Sequence, residues 1–327
     1  MSEVQNELAD GVAVLSLSRG ETNALSPTMR ADLAAALDRA AGSEEVRAVV
    51  LIGEGNTFSS GIDLSEYDGA LAAPWVDALT RQIETCPKPV IAVMDGAALG
   101  AGFELALAAH ARVARRGCRV ALPEVSLGLM PSGGSTQRLP RLLGAQVALE
   151  LLLSGRAVEA ADPRLAKLFA DLTEGDPLET GLAVARRFAQ AAGFPRTGQI
   201  ERGFSDPAAY RRSVSEVAAR ITDEDGAEAD ILRCVEAAQL LPYDQGLAFE
   251  AAAFEARMAR TDTRAARHLY AAERRAAAWP EAREGSPRKV ATVVLAGSDP
   301  VLSELAVHCL DRGSAWRFWP VARRAKR

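Results

Sequence analysis

Residues 96–137 read GAALGAGFELALAAHARVARRGCRVALPEVSLGLMPSGGSTQ. Two carboxylates, Glu104 and Glu124, stand in this segment, each next to a small-residue turn and otherwise among apolar residues. A carboxylate is costly to bury without partners, so two of them here call for a chemical reason. Just upstream, residues 90–94 form an apolar run long enough for a buried strand, and Asp95-Gly96 stops it. Ala, Leu and Phe dominate residues 101–113, which predicts a helix over that span. Gly100 and Gly102 lie at its start, where backbone N–H groups have no intrahelical partner and carry the positive end of the helix dipole. That end suits a developing oxyanion, and small residues let a carbonyl approach the backbone. Glu104 then sits about one turn into the helix. Glu124 follows a second apolar run, residues 120–122, and a proline.

Outward from this segment, strands and helices alternate. Residues 12–17 have a strand pattern that leads to a turn at Arg19-Gly20. Pro27 opens a helix through Ala41, with Leu33, Leu37 and Ala40 on one face. Residues 46–52 form a near-continuous apolar strand, as expected when both faces are covered. Repeated strand-then-helix units predict an α/β fold. The run FSSGIDL, residues 58–64, is by itself a plain turn. Next to the Glu104 segment it becomes a candidate second donor, because an oxyanion hole usually needs two. Asp63 within it fits either a helix cap or a ligand contact. Residues 139–153 predict one long helix, and the chain beyond Gly181 is helical and Ala-rich.

Composition bounds the function. The 327 residues are 48% hydrophobic and 25% charged, ordinary for a globular protein. A net charge of -5 and a pI near 5.5 argue against nucleic acid and anionic membrane as partners. The polar, acidic start is unlike a signal peptide, and the apolar stretch from Val90 is interrupted by Asp95 and Glu104, short of a membrane span, so the cytoplasm is expected. Cys86, Cys118, Cys234 and Cys309 are widely spaced, which predicts reduced thiols and neither disulfides nor a zinc site. His110 reads as a helix-face residue, and no metal chemistry is indicated.

Several separated motifs, in order, resemble the crotonase, or enoyl-CoA hydratase/isomerase, superfamily. They are NAL at Asn23 to Leu25, FSSGIDL at Phe58 to Leu64, KPVIAVMDGAALGAGFELAL from Lys88, and LPEVSLGLMPSGGSTQRLPRLLG from Leu122. The resemblance covers roughly residues 10–190 and is greatest to the N-terminal hydratase half of multifunctional fatty-acid oxidation enzymes. It implies a spiral of ββα units, with a helical C-terminal region and a short βα tail. Glu104 and Glu124 take the positions of the two catalytic glutamates, and the backbone N–H groups of Ile62 and Ala101 those of the oxyanion hole. Asn23, Ala24, Leu25, Ser60, Asp63 and Leu64 would border the coenzyme A moiety. Ser132 matches a position whose N–H helps hold the attacking water. Ser132 and Ser135 stand where glycine is usual, and Ser65 where several members carry a phosphate-binding lysine.

The expected organisation is a catalytic core at 1–190, a helical region and linker at 191–286, and a truncated Rossmann-like remnant at 287–327. In that tail residues 290–295 predict a strand and 300–310 a helix. The intervening turn LAGSDP has Gly297 as its only glycine and carries Asp299, so no NAD is expected. The arginines of residues 244–280 read as a solvated helix face or as partners of coenzyme phosphates, and a homotrimer or other homo-oligomer fits the resemblance. Three functions stay open. The first is a 2-enoyl-CoA hydratase, with or without Δ3,Δ2-enoyl-CoA isomerase activity. The second is other enolate chemistry such as thioester hydrolysis or C–C cleavage. The third is a non-catalytic acyl-CoA-binding protein.

Overall fold

The chain begins with a hairpin, β1 (Val4–Ala9) and β2 (Val12–Leu17), closed by Asp10 and Gly11 at φ 51° and 81°. Two central residues at positive φ match the right-handed twist of the flanking strands. The computed structural model describes residues 2–63, 66, 72–277, 292–296 and 315–319. It divides into two compact units, Met1–Ala271 and Ala272–Arg327.

Helix α1 (Pro27–Gly42) starts where the sequence places it, with Ser26 Oγ accepting the Met29 N–H at 3.0 Å and proline in the first turn. Strand β3 (Ala48–Gly53), helix α2 (Val76–Thr85), strand β4 (Val90–Met94) and the short β5 (Ala97–Leu99) lead to α3 (Ala101–Ala108). The chain continues through β6 (Ala111–Arg115), β7 (Arg119–Ala121), a 3-10 turn (Pro123–Leu127), α4 (Ser135–Leu143) and α5 (Ala145–Ser154). Strands β8 (Val158–Glu159) and β9 (Asp171–Thr173) precede α6 (Pro177–Ala189), α7 (Pro207–Ala218), α8 (Ala227–Leu240), α9 (Tyr243–Ala259) and α10 (Thr261–Ala277).

Strands β1-β2-β3-β4-β6-β9 form one sheet, parallel after the first hairpin, and β5-β7-β8 form a second. The main core joins one side of the large sheet to α1, α3 and α4 through Leu15, Leu33, Leu51, Leu105 and Leu139. On the other side, Val184 and Ala185 of α6 pack on Val12, Val14, Ile91 and Val93. Burial on both faces explains why β3 and β4 are continuous apolar runs.

Two helix expectations are corrected. The helix of residues 101–113 ends at Ala108, and Ala111–Arg115 is strand β6. The His110 N–H donates to Val90 O at 2.9 Å and the register Ile91↔Ala111 follows, so pairing with β4 overrides the helix propensity of an Ala-rich run. His110 is therefore on the helix-to-strand connection, not a helix face. Its Nδ1 accepts the Val90 N–H at 3.0 Å, its ring packs edge-on against Phe194, and burial lowers its pKa to about 4. The single helix of residues 139–153 is two, broken at Gly144, whose φ of 85° and ψ of 170° no side-chain-bearing residue adopts easily.

The expected boundary at residue 190 falls inside the first unit, because α7, α8 and α9 share the core of α4 and α5 through Tyr210, Ile231, Val235 and Phe254. In the second unit β10 (Thr292–Ala296) pairs in parallel with β11 (Ala315–Trp319). The predicted helix of residues 300–310, Gly297 and Asp299 lie outside the described residues.

Candidate active site

Two turns meet at the start of α3. Leu99 N donates to Ser59 O at 2.9 Å, and Leu25 N donates to Gly61 O at 2.8 Å, so NAL and FSSGIDL lie side by side against β5. Gly61 has φ 90°, and a Cβ there would come 2.8 Å from Leu99 O and 3.2 Å from Ala101 N. Only a glycine lets these backbones approach so closely. Among the described residues, no hydrogen bond uses the N–H of Ile62 or of Ala101. Ala101 opens α3, where the dipole favours negative charge, and Ile62 lines the same cavity.

Glu104, in the first turn of α3, is 1% exposed. Its Oε1 accepts from Gly133 N at 2.8 Å and Ser135 N at 3.3 Å, and its Oε2 from Ser132 N at 3.4 Å. Burial raises its pKa, and the N–H groups of Gly133 and Ser135 oppose that shift. Glu124, at the start of the 3-10 turn, is held differently. Among the described residues its buried Oε2 has no hydrogen-bond partner, and burial followed by the charge of Glu104 raises its pKa to about 8. Two carboxyls of one site thus occupy unlike environments, one an acceptor of several N–H groups and the other prone to hold its proton at neutral pH.

Glu104, Glu124, Ser60, Gly61, Ile62, Ala101 and Ser132 line one cavity of about 50 Å³. A water needs ~10–15 Å³, so the cavity has room for more than one. The Ser132 N–H, matched by resemblance to a water-holding position, is directed at Glu104 here. Serines at 132 and 135 still deliver their N–H groups to that carboxylate. Asn23 is part of the scaffold. Its side chain accepts from Arg19 N and donates to Glu54 O and Thr57 O, which fastens the loop. Ala24 adjoins it, its carbonyl accepting the Ser26 N–H at 2.8 Å. Asp63 pairs with Arg19 at 2.9 Å. Leu64 and Ser65 lie outside the described residues.

The sequence-based site missed three charged residues around the Pro131–Thr136 turn. Glu250 of α9 is 1% exposed and accepts from Gly134 N at 2.6 Å and Thr136 N at 3.0 Å, with the Thr136 hydroxyl as a further partner. Arg138 donates to Gly133 O and to Glu84 Oε2, which also accepts from the Tyr243 hydroxyl. A signal for Glu250 exists in the sequence. Gly246, Glu250, Phe254 and Arg257 recur at helical spacing on the buried face of α9, so a carboxylate stands within its inward stripe. Arg257 is likewise no solvated residue, since its guanidinium pairs with Asp230 of α8. Cys86, Cys118 and Cys234 are buried free thiols, while Cys309 lies outside the described residues. Among the described residues no group of three or more His, Cys, Asp or Glu could hold a metal ion, and no helix is long and apolar enough to cross a membrane.

The wound sheet, the glycine-lined approach to α3 and the unlike pair of buried carboxyls define the class of this protein. The chain belongs to the enoyl-CoA hydratase/isomerase family, the crotonase superfamily. The model of that family matches residues 7–169. A Bacillus subtilis (strain 168) protein named probable enoyl-CoA hydratase is 40% identical over 189 residues, covering 55% of this chain and 73% of its own. The peroxisomal bifunctional enzyme of Danio rerio is 33% identical over 295 residues, covering 88% of this chain, and the chain spans 41% of that enzyme's length. The solved structure of Pseudomonas aeruginosa OdaA aligns with 83% of this chain and 99% of its own at a TM-score of 0.60 and 28% identity.

Proposed function

We propose that the chain hydrates a 2-enoyl-CoA thioester to the 3-hydroxyacyl thioester. The observation that carries this is the single cavity shared by Glu104, Glu124 and the N–H groups of Ile62 and Ala101. A thioester oxygen against those two donors gains charge as water adds at C3. Loss of one such donor costs ~3 kcal/mol of transition-state stabilisation. Glu104, ionised, takes a proton from the water as its oxygen bonds to C3. The C2=C3 electron pair moves to C2 and accepts the proton of Glu124. Glu104 ends protonated and Glu124 ionised, and exchange with solvent restores both. A Glu124 pKa of about 8 supports the donor role, because a group with that value keeps its proton at pH 7. Δ3,Δ2-enoyl-CoA isomerisation, in which Glu124 would start ionised, take a proton from C2 and return it at C4, is included as a second activity on the family likeness.

Substrate recognition by the segment from Asn23 to Leu25, with Ser60 and Asp63, rests on the proximity of those turns to the cavity. Buried free thiols at Cys86, Cys118 and Cys234 support a reducing compartment, and a cytoplasmic location is part of the proposal. No NAD is included, because LAGSDP lacks the glycines that a pyrophosphate requires. A homo-oligomer is included on the family likeness, and a mass measurement in solution tests it. The deciding assay follows the conjugated enoyl-thioester absorbance of crotonyl-CoA. Its loss with the wild-type chain, abolished in Glu104→Gln and Glu124→Gln, is expected. Binding without turnover would overturn the proposal in favour of a non-catalytic acyl-CoA-binding protein.

A further inference from the structure

The N–H groups of one turn are divided between two buried carboxylates. Gly133 and Ser135 donate to Glu104, and Gly134 and Thr136 to Glu250. The alternation follows from the backbone. Gly134 has φ 90° and a Cβ there would come within 2.9 Å of Leu247, while a Cβ at Gly133 would come 2.8 Å from Val76 and 3.0 Å from the Glu104 carboxyl. The turn is therefore clasped between α3 and α9. Gly246 fixes the approach of α9, since a Cβ on it would overlap the Gln137 side-chain carbonyl oxygen. Gln137 in turn donates to Cys234 O at 2.8 Å.

We infer that Glu250 is a positioning residue for the hydration reaction, holding Gly134 and Thr136 so that Gly133 and Ser135 stay aimed at Glu104 while Glu104 gains and loses a proton. The inference rests on the function proposed above. When Glu104 takes the proton of water, its hold on those N–H groups weakens, and the second carboxylate keeps the turn from relaxing. Where it is ionised, at the basic end of the pH range, Glu250 also acts through its charge. Groups facing it are Glu104 on α3, Glu124 in the 3-10 turn, Thr136 and Arg138 on α4, and Cys234 on α8. Arg138 is engaged by Glu84 and Gly133 O, so ionising one of the three carboxyls disfavours ionising the others, with only part of one cation between them. Burial and Glu104 raise the Glu250 pKa to about 8, and Glu250 contributes to the raised pKa of Glu124. Titration in this site belongs to the trio and to no single member.

The test is the pH profile of crotonyl-CoA hydration by wild type, Glu250→Gln and Glu250→Asp. In Glu250→Gln, kcat falls about tenfold, KM changes less than about threefold, and the basic limb of the profile moves about one pH unit toward acid, since a neighbour that is negative in that range has been removed; the acid limb, where Glu250 holds its proton, stays in place. In Glu250→Asp the charge remains, so the limbs stay in place even where the shorter reach lowers kcat. A lower kcat in Glu250→Gln with the basic limb unmoved would show a merely structural residue and overturn the inference. A second measurement keeps Glu250 in place and needs no turnover. Infrared titration of the buried carboxyls is compared between wild type and Glu104→Gln. Removing the Glu104 charge should move the Glu250 carboxyl about one pH unit toward acid, because coupling is reciprocal. No movement would overturn the inference. A wild-type chain that binds but does not hydrate would defeat the proposed function alone, and the infrared result would still decide the coupling.

Discussion

Gly100 approaches Glu124 so closely that a Cβ on the glycine would stand 2.9 Å from Glu124 Oε1. The contact joins the start of α3 to the 3-10 turn, and so sets the Glu124 carboxyl beside Ala101 in the cavity that Ile62 also lines. Gly100 also has φ 51° and ψ -130°, a conformation that strains any other residue by ~1–3 kcal/mol. Gly100→Ala is expected to displace the Glu124 carboxyl and lower kcat/KM by about 100-fold, with loss of stability in the strain range. Steady-state kinetics and thermal unfolding of the variant check both parts. An active variant of wild-type stability would show that this contact does not set the position of Glu124.

In the proposed mechanism, Glu104→Gln and Glu124→Gln each remove a proton-transfer group while keeping the side-chain shape. Each is expected to lower kcat by ~10²–10⁴ with little change in KM. Single-turnover measurements with crotonyl-CoA, alongside binding of a saturated acyl-CoA, separate lost chemistry from lost affinity. A variant that turns over at the wild-type rate removes that residue from the mechanism.

Glu124 also makes stability depend on pH. Its folded pKa is about 8 against an ordinary value of 4.5, so between those values the folded chain binds more protons than the unfolded one. Stability from this group is present below pH 4.5 and is lost as pH rises through 8. Glu124→Gln flattens that slope and should gain on wild type between pH 4.5 and 8, by on the order of 4 kcal/mol at the upper end, with the pH-dependent part vanishing near pH 4.5. Denaturant unfolding at a series of pH values measures it. A constant difference across the range would show that Glu124 does not carry the slope.

Arg30 anchors the edge of the site. Only 1% exposed, it donates to both oxygens of Glu66 at 2.7 and 2.8 Å and to the carbonyls of Leu25, Ala72 and Pro74. Removing one partner of a buried pair leaves the other charge uncompensated. Arg30→Met should cost about 3–5 kcal/mol, and Arg30→Lys should restore little because an ammonium lacks the fork that meets both oxygens. Chemical denaturation of the two variants checks this. Recovery of most of the stability by lysine would show that charge alone matters.

Much of the site is local in sequence, which is why it is legible there. Glu104 stands four residues after Gly100, and Glu124 follows the apolar run of β7, so a short window contains both acids and the small residues that admit a ligand. The same window shows why the strand β6 is hidden. Residues 111–115 continue an Ala-rich helix pattern, and only the hydrogen bonds of β4 turn them into sheet. Gly144 carries a break signal in its residue type, yet the apolar spacing around it runs on without interruption.

The amino-acid sequence alone determines the alternating α/β order, the family and the two acids flanked by glycines, because strand periodicity, turn residues and close backbone approach act over a few residues. Tertiary structure decides the rest. It gives Glu104 and Glu124 unlike environments and brings Glu250 to a turn more than a hundred residues earlier in the chain. It also commits Asn23 to holding a loop. The physical reason is that desolvation, charge coupling and hydrogen-bond satisfaction depend on which groups are neighbours in space, and those neighbours exist only once distant segments have packed.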